Sequence, residues 1–303
     1  MEEEKNEVRQ FRINGKTYID KQKEFPASAF GDIFLVKDNE GNEYILKKAK
    51  SELEMLEKEF DMLVKIEKCP HIIKAGGFIR DKIDDKDYAI ILLQYAKGGE
   101  LFEYVNDYIS KGKKITEKTL LNFFKQLLEA VKCFHDLHVY NLDLKLENIV
   151  FLDIEQTQLA IIDFGLAVDS DTDSCFWDIG TDTYKASEVK HSKAFECSKA
   201  DIYSLGMILG YLLRITEIGK SFPQIRSLYK KMTQNLPGDR PSLLELIKCY
   251  NKINPTETIV IDDDFVIVEN PDDFVLVFKH KKKSKKSLKK SKSLKKSKKK
   301  SSL

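Results

Sequence analysis

Three acids and three lysine or amide positions, far apart but ordered along the chain, have the types to do chemistry: Lys47, Glu59, Asp143 with Lys145 and Asn148 after it, and Asp163 ahead of Phe164-Gly165. Such a mixture suits reactions in which charge on phosphate oxygens must be neutralised and held in place, because a protein can offer little covalent help there. Taken one at a time, each residue has a plain alternative. Lys47 reads as a solvated strand lysine, Glu59 as one of many helix-surface acids, and Asp163 as a turn former before Gly165. The set as a whole would require several independent coincidences of type and spacing.

These residues need elements to position them. From Phe11 to Lys48 the residues alternate and turn signals recur at Asn14-Gly15 and Asp38-Asn39-Glu40-Gly41, which predicts a meander of antiparallel strands. Ser51 to Ile66 carries Leu53, Leu56, Phe60 and Leu63 at helical spacing, with Pro70 as a stop. The apolar run Tyr88 to Tyr95 reads as a buried strand closed by Gly98-Gly99. Beyond it, Thr116 to Leu137 shows one apolar stripe, and Ala200 to Leu213 is apolar nearly all round. A strand-rich first third joined to a helical remainder predicts two lobes with a cleft between them.

In order, Tyr44-Ile45-Leu46-Lys47, Glu59, Asp143-Leu144-Lys145-Leu146-Glu147-Asn148, Asp163-Phe164-Gly165 and Ala186-Ser187-Glu188 with Arg240 downstream resemble the eukaryotic protein kinases of the serine/threonine type, over roughly residues 11 to 250. The resemblance implies an α+β, bilobal protein-kinase-like fold, with a β-rich N-lobe at 1–95 and a helical C-lobe at 96–253. It implies a transfer of the ATP γ-phosphoryl group to protein hydroxyls with Mg2+. On that match Lys47 grips the α/β-phosphates, Glu59 pairs with it, Asp163 and Asn148 hold the metal, Asp143 accepts the substrate proton and Lys145 steadies the γ-phosphate. Thr181 matches the threonine that bonds the catalytic acid and lysine, which together with Lys145 speaks for serine or threonine rather than tyrosine as acceptor. The adenine would sit on Gln94 and Ala96 after Leu93, with Ile33, Ile45 and Val150 lining the pocket and Glu100 at the ribose. Glu188 and Arg240 match a structural salt bridge, and Asp201 the acid that braces the catalytic loop. Glu100 and Glu147 resemble acids that receive an arginine upstream of the target residue.

The sequence departs from the family in four places. The phosphate-covering loop G-x-G-x-x-G-x-V reads Pro26-Ala27-Ser28-Ala29-Phe30-Gly31-Asp32-Ile33, so only the last glycine matches. Ile45 replaces a small alanine and narrows the adenine pocket. Asn141-Leu142-Asp143 lacks the arginine that would receive a phosphorylated activation segment, and the acids Asp169, Asp171, Asp173 and Asp178 already crowd that segment, so activity without phosphorylation is expected. The stretch between Asp201 and Arg240 is shorter than usual. These departures leave open a pseudokinase scaffold that acts by binding.

Past Asn254 the character changes. Fourteen lysines and no acid lie between Lys279 and Leu303, so the formal charge of +2 conceals a body near −12. This stretch, 279–303, reads as a disordered Lys/Ser-rich tail that could serve as a nuclear-localisation signal, as a clamp on nucleic acid or anionic lipid, or only as a solubilising tail. A nucleic-acid binder as the main function finds no basic groove in the acidic body. The acidic-aromatic segment 254–278 reads as a linker or as a hairpin across Asn270-Pro271. It also resembles, twice, the motif that binds ubiquitin-like autophagy proteins, at Phe265–Val268 and Phe274–Val277.

At 303 residues and 42% hydrophobic content the chain can bury a sizeable core. Cys69, Cys133, Cys175, Cys197 and Cys249 are scattered, odd in number and without a C-x-x-C pair, which predicts neither a disulfide framework nor a zinc site and points to a reducing, intracellular setting. MEEEKNEVRQ has no apolar stretch after its charges, and no later run approaches the roughly 18 apolar residues of a membrane span. The cytoplasm or nucleus is expected.

Overall fold

In a computed structural model of the chain, the alternation from Phe11 to Lys48 becomes four strands: β1 (Gln10–Ile13), β2 (Lys16–Asp20), β3 (Asp32–Lys37) and β4 (Glu43–Ala49). The structure describes residues 9–23, 25, 31–83, 86–176, 178–191, 194–261, 265–268 and 275–278. Its contacts form two units, Met1–Ile259 and Val260–Leu303. After α1 (Leu53–Lys65) the chain adds β5 (Ala75–Ile83) and β6 (Lys86–Gln94), completing an antiparallel sheet of order β1-β2-β3-β4-β6-β5. β4 is central, and Lys47 lies opposite Ile33 on one side and Ile91 on the other. One cluster in this sheet buries Ile13, Tyr18, Val36, Leu46, Ile90 and Leu92. Where β3 meets β4, a Cβ on Gly31 would lie 2.1 Å from the Lys48 carbonyl, and φ there is +145°. The sheet itself thus requires the one glycine of the phosphate-covering motif that the chain retains. Residues 26–30, which hold the other departures, lie outside the described residues.

α1 packs on β5 and β6 and buries Leu53, Leu56, Glu59 and Leu63. The spacing of three, three and four places Glu59 on the apolar stripe rather than among the surface acids.

From Gly99 on, the chain is mainly helical. β7 (Gly99–Glu100) leads into α2 (Leu101–Ser110), and Thr116 caps α3 (Glu117–Asp136) by accepting from the Thr119 N–H at 3.1 Å. Six short strands follow: β8 (Val139–Tyr140), β9 (Ile149–Phe151), β10 (Leu159–Ile161), β11 (Val168–Asp169), β12 (Ser174–Cys175) and β13 (Phe195–Glu196). β8 pairs with β11 and β12 with β13. α4 (Cys197–Arg214) runs through the core, burying Ile202, Leu205, Ile208, Leu209 and Leu212, and α5 (Phe222–Met232) and α6 (Leu243–Ile253) complete the unit. Ser242 and Glu245 form a capping box at the start of α6. The strand-rich first part and the helical remainder are those expected.

The cysteine expectation is overturned. Cys69 is bonded to Cys133 and Cys175 to Cys197, and only Cys249 is free among the described cysteines. The partners are 64 and 22 residues apart. No short-range spacing rule reaches that far, and the fold alone brings the sulfurs together. Loops of these lengths constrain the unfolded chain by about 4 and about 3 kcal/mol respectively.

In the second unit, β14 (Phe265–Val268) and β15 (Val275–Phe278) pair antiparallel, with Phe265 opposite Phe278. Of the two candidate motifs, Phe265–Val268 lies on β14, whereas Phe274 of the second lies outside the described residues. So do Asn270-Pro271 and the lysine tail.

Candidate active site

The buried head of α4 organises the loop that carries Asp143. Asp201, fully buried, accepts the Asn141 N–H at 3.0 Å, the Leu142 N–H at 2.8 Å and His135 Nε2 at 2.9 Å. Leu142 adopts φ +61°, a left-handed conformation that is strained for a leucine, and the two bonds to the Asp201 carboxyl group offset that strain. Burial of the Leu142 side chain, which is 7% exposed, adds to the hold. Asn141 then links two loops through its amide: Nδ2 donates to the Asp163 carbonyl at 3.0 Å, while Oδ1 accepts the Asp143 N–H at 3.1 Å.

Asp143 is held from three sides. Thr181 Oγ1 donates to its Oδ1 at 2.6 Å, and Lys145 Nζ and Asn148 Nδ2 donate to its Oδ2 at 2.7 and 3.1 Å. Lys145 also donates to Thr181 Oγ1 at 2.9 Å. Thr181 reaches Asp143 because the preceding residue is glycine. At Gly180, with φ +90°, a Cβ would stand 2.4 Å from the Leu142 carbonyl.

Across from this group, Lys47 Nζ donates to Glu59 Oε2 at 2.6 Å, with 7% and 2% of the two residues exposed. Burial opposes the Lys47 charge, yet Glu59 and Asp163 outweigh it and raise the lysine above its ordinary range. Burial pushes the Glu59 carboxyl up, and the nearby Asp163 adds to this, against the pull of Lys47. Asp163 sits at φ +65°, and its Oδ1 accepts the Gly165 N–H at 3.1 Å. Phe164, fully buried, packs edge-on against Phe134 with ring centroids 5.7 Å apart. Asp163 and Asn148 supply hard oxygen donors of the kind magnesium takes. Among the described residues no group of three or more His, Cys, Asp or Glu forms a cage that would hold a metal by itself. That donor set fits a cation shared with substrate phosphates.

Beside this pair lies a cavity of about 270 Å³, lined by Ile33, Ile45, Gln94, Ala96, Glu100 and Val150, all six of the nominated pocket residues other than Lys47. Lys47 does not line it. Leu93, Ile73 and Ile162 extend the apolar walls, and Lys23 and Phe25 stand there as well. The Gln94 N–H is committed to the Lys74 carbonyl at 2.8 Å, so it is not available to a ligand in the cavity. Ile73, Ile162 and Lys23 escaped sequence reasoning, since an apolar wall and an exposed lysine leave no local signature.

The segment from Asp163 to Glu188 is tied down by its own carboxylates. Asp169 accepts from Lys65 of α1 at 2.6 Å. Asp173 accepts the Ser198 N–H at 2.7 Å and the Ser198 hydroxyl, serving as the missing cap at the start of α4, where Glu196 provides none. Asp178 and Asp182 share Lys185, at 2.6 and 3.2 Å. At its far end Glu188 takes a bidentate bond from Arg240, at 2.5 and 2.8 Å, and Arg240 also donates to the carbonyls of Gln234, Lys199 and Asn235.

A second acidic group behaves differently. The Glu100 carboxyl is raised by burial and by the charges of Glu103 and Glu147. Oε2 of Glu147 is buried without a hydrogen-bond partner among the described residues.

The family model for the protein kinase domain matches residues 27–236. The chain is similar to the carbon catabolite-derepressing protein kinase of Saccharomyces cerevisiae, with 32% identity over 233 residues, 74% of this chain and 35% of the relative. It is 30% identical over 226 residues to the serine/threonine-protein kinase nekl-2 of Caenorhabditis elegans, covering 70% of this chain and 61% of the relative. The NUAK family SNF1-like kinase 1 of Mus musculus is 30% identical over 226 residues, covering 71% and 32%. The chain therefore spans between about a third and three-fifths of the length of these curated relatives.

Proposed function

The chain belongs to the protein kinase family, and from that premise we propose that it transfers the γ-phosphoryl group of ATP to serine or threonine hydroxyls of protein substrates. The observation that carries this reading is the Asp143 carboxylate, held by Lys145, Thr181 and Asn148 in a part of the molecule where Lys47, Glu59 and Asp163 also lie within electrostatic reach of one another. Asp143 is the group that accepts the proton of the attacking hydroxyl, and its bonds fix the carboxylate before substrate arrives. Lys145 carries positive charge to the γ-phosphate, and Lys47, oriented by Glu59, to the α- and β-phosphates. Asp163 and Asn148 would hold magnesium, which when bound would neutralise phosphate oxygens. The adenine occupies the cavity against Ile45 and Val150, with Glu100 beside the ribose. The names of the relatives and the Lys145–Thr181 bond favour serine and threonine over tyrosine.

Phosphorylation of the activation segment is not required on this reading. Leu142, which stands where the phosphate-binding arginine would be, is buried, and Asp169, Asp173 and Asp178 already occupy Lys65, Ser198 and Lys185. Substrates with a basic residue near the acceptor suit Glu100 and Glu147, whose carboxylates form no ion pair among the described residues. The pattern at Phe265–Val268 and Phe274–Val277 supports binding to a ubiquitin-like autophagy protein, and the charge of the lysine tail supports an anionic partner. No helix among the described residues is long and apolar enough to cross a membrane. We place the protein inside the cell, in the cytoplasm or nucleus.

The test is transfer from γ-labelled ATP to a basic peptide with magnesium, comparing the intact chain with Asp163→Ala and Asp143→Asn. Loss of transfer in both variants is the expected result. Transfer by the intact chain no faster than by the variants, with either magnesium or manganese, would overturn the reading in favour of a pseudokinase scaffold.

A further inference from the structure

We propose that Cys175 and Cys197 form a thiol–disulfide modification site that sets the phosphoryl-transfer rate, with the disulfide as the active form and the dithiol as the slow one; this rests on the kinase reading above and names its regulation. The bond joins the activation segment to the first residue of α4. Between the two cysteines lie Gly180, Thr181 and Glu188, so the staple encloses the stretch that delivers Thr181 to Asp143.

The sulfurs also sit in the core that seats the catalytic loop. Cys175 and Cys197 are both fully buried, in one cluster with Tyr140, Leu142, Ala186, Val189, Phe195 and Ala200. Leu142 directly precedes Asp143, and its N–H is bonded to Asp201 on α4. A change at the sulfurs thus reaches Asp143 from two sides, through Thr181 and through Leu142. Two thiols need more room than one disulfide, and a close-packed interior has no slack to give, so the cluster must shift when the bond opens.

After reduction the end of the segment that carries Cys175 meets α4 through the two-residue pairing of β12 with β13 and through Asp173 on Ser198, while its far end stays on α4 through the Ser204 hydroxyl, which donates to the Tyr184 carbonyl, and through Tyr184 against Tyr211. A pair of only two residues opens locally at low cost, which gives a reductant its access to buried sulfurs. Phe176, the residue next to Cys175, is 57% exposed. A disulfide in a reducing compartment is more often a transient sensing bond than a permanent staple. A dithiol reductant supplies the chemistry: one of its thiolates attacks a protein sulfur and displaces the other as thiolate. Its second thiol then resolves the mixed disulfide. Two electrons and two protons pass to Cys175 and Cys197, and the reductant leaves as a disulfide.

Cys69–Cys133 provides the internal control, because it ties the loop after α1 to α3 and encloses neither Thr181 nor Glu188. The experiment uses the full chain. Non-reduced peptide mapping establishes the pairing, and transfer is measured before dithiothreitol, after it, and after reoxidation with oxidised glutathione. Reduction is expected to lower kcat by about tenfold, a loss of alignment at the reacting groups, with reoxidation restoring it and with ATP affinity, read by thermal shift, unchanged. A Cys175→Ser/Cys197→Ser chain should run at the slow rate and ignore dithiothreitol, while Cys69→Ser/Cys133→Ser should still respond. An unchanged rate in chains whose four thiols are shown to be free would overturn the proposal, as would a peptide map without Cys175–Cys197. If neither redox form exceeds Asp163→Ala, the kinase reading fails instead. Hydrogen exchange across residues 175–197 then decides this site: faster exchange on reduction supports it, and unchanged exchange sinks it.

Discussion

Two groups of charged residues can be set side by side. In the first, every charge is answered: Lys47 by Glu59 and Asp163, Asp143 by Lys145, Thr181 and Asn148, Glu188 by Arg240. In the second, Glu103 and Glu147 act on Glu100 by repulsion, and Oε2 of Glu147 is buried without a hydrogen-bond partner among the described residues, the same carboxyl being bonded by Tyr184. The first group has already met the cost of ordering its charges, which is what preorganised electrostatic catalysis asks. The second leaves a cost that a cationic ligand would remove, the mark of a binding surface rather than of a scaffold. Removing a member of the first group should therefore do damage, whereas removing one of the second should relieve strain and weaken binding.

The largest expected effect is on Asp143. Asp143→Asn keeps the shape but gives up the proton acceptor, and single-turnover transfer should fall by about 10²–10⁴-fold without loss of folded structure by circular dichroism. A smaller loss would break the comparison, because the best-answered carboxylate would then be scaffolding.

Next comes Arg240→Leu, which leaves Glu188 with a charge in a mostly buried place. Urea denaturation should show about 3–5 kcal/mol of lost stability. The double variant Arg240→Leu/Glu188→Leu should recover part of it, since the penalty lies in the orphaned charge.

The second group is sharpened by Glu147→Gln. Stability should hold or rise, while KM for an arginine-containing peptide rises several-fold and KM for an arginine-free peptide stays constant. Protonation supplies the companion test. The Glu100 carboxyl is raised above its ordinary value, so the folded chain binds more protons there than the unfolded one, and Glu100 costs stability as pH rises from the ordinary glutamate pKa through the raised one. Over that window the carboxylate forms and the affinity for a basic peptide should increase. Glu100→Gln should flatten both trends. A peptide affinity that falls with rising pH would contradict the assignment.

The smallest effect belongs to Lys65→Ala. Its partner Asp169 is 42% exposed at the side chain, and such pairs contribute about 0–1 kcal/mol. Transfer should drop by no more than a few-fold, and the difference should shrink as salt is raised.

Much of the site was legible beforehand, and the reason differs from residue to residue. Leu53, Leu56 and Leu63 announced α1 through helical spacing, whereas the family resemblance singled out Glu59 and the structure shows it buried on their face. The strand pattern around Lys47 and the apolar flanks of Asp163 were equally local. Gln94 and Ala96 line the cavity, and it was the resemblance to the protein kinases, not a local signal, that singled them out. Ile73 and Ile162 were not anticipated, since nothing local separates an apolar residue in a ligand wall from one in a core.

By itself the sequence determined the order of elements, the residue types at the site and the family, because those follow from periodicities of two and of 3.6 and from short ordered motifs. Only the tertiary structure decided the rest. It set Asp173 as the cap of α4, the Asn141 amide as the bridge between Asp143 and Asp163, and Cys175 as the partner of Cys197. Each of these joins groups 20 or more residues apart in the chain. Such pairs form when packing closes the intervening loop, and no property of either residue's neighbours records that they will meet.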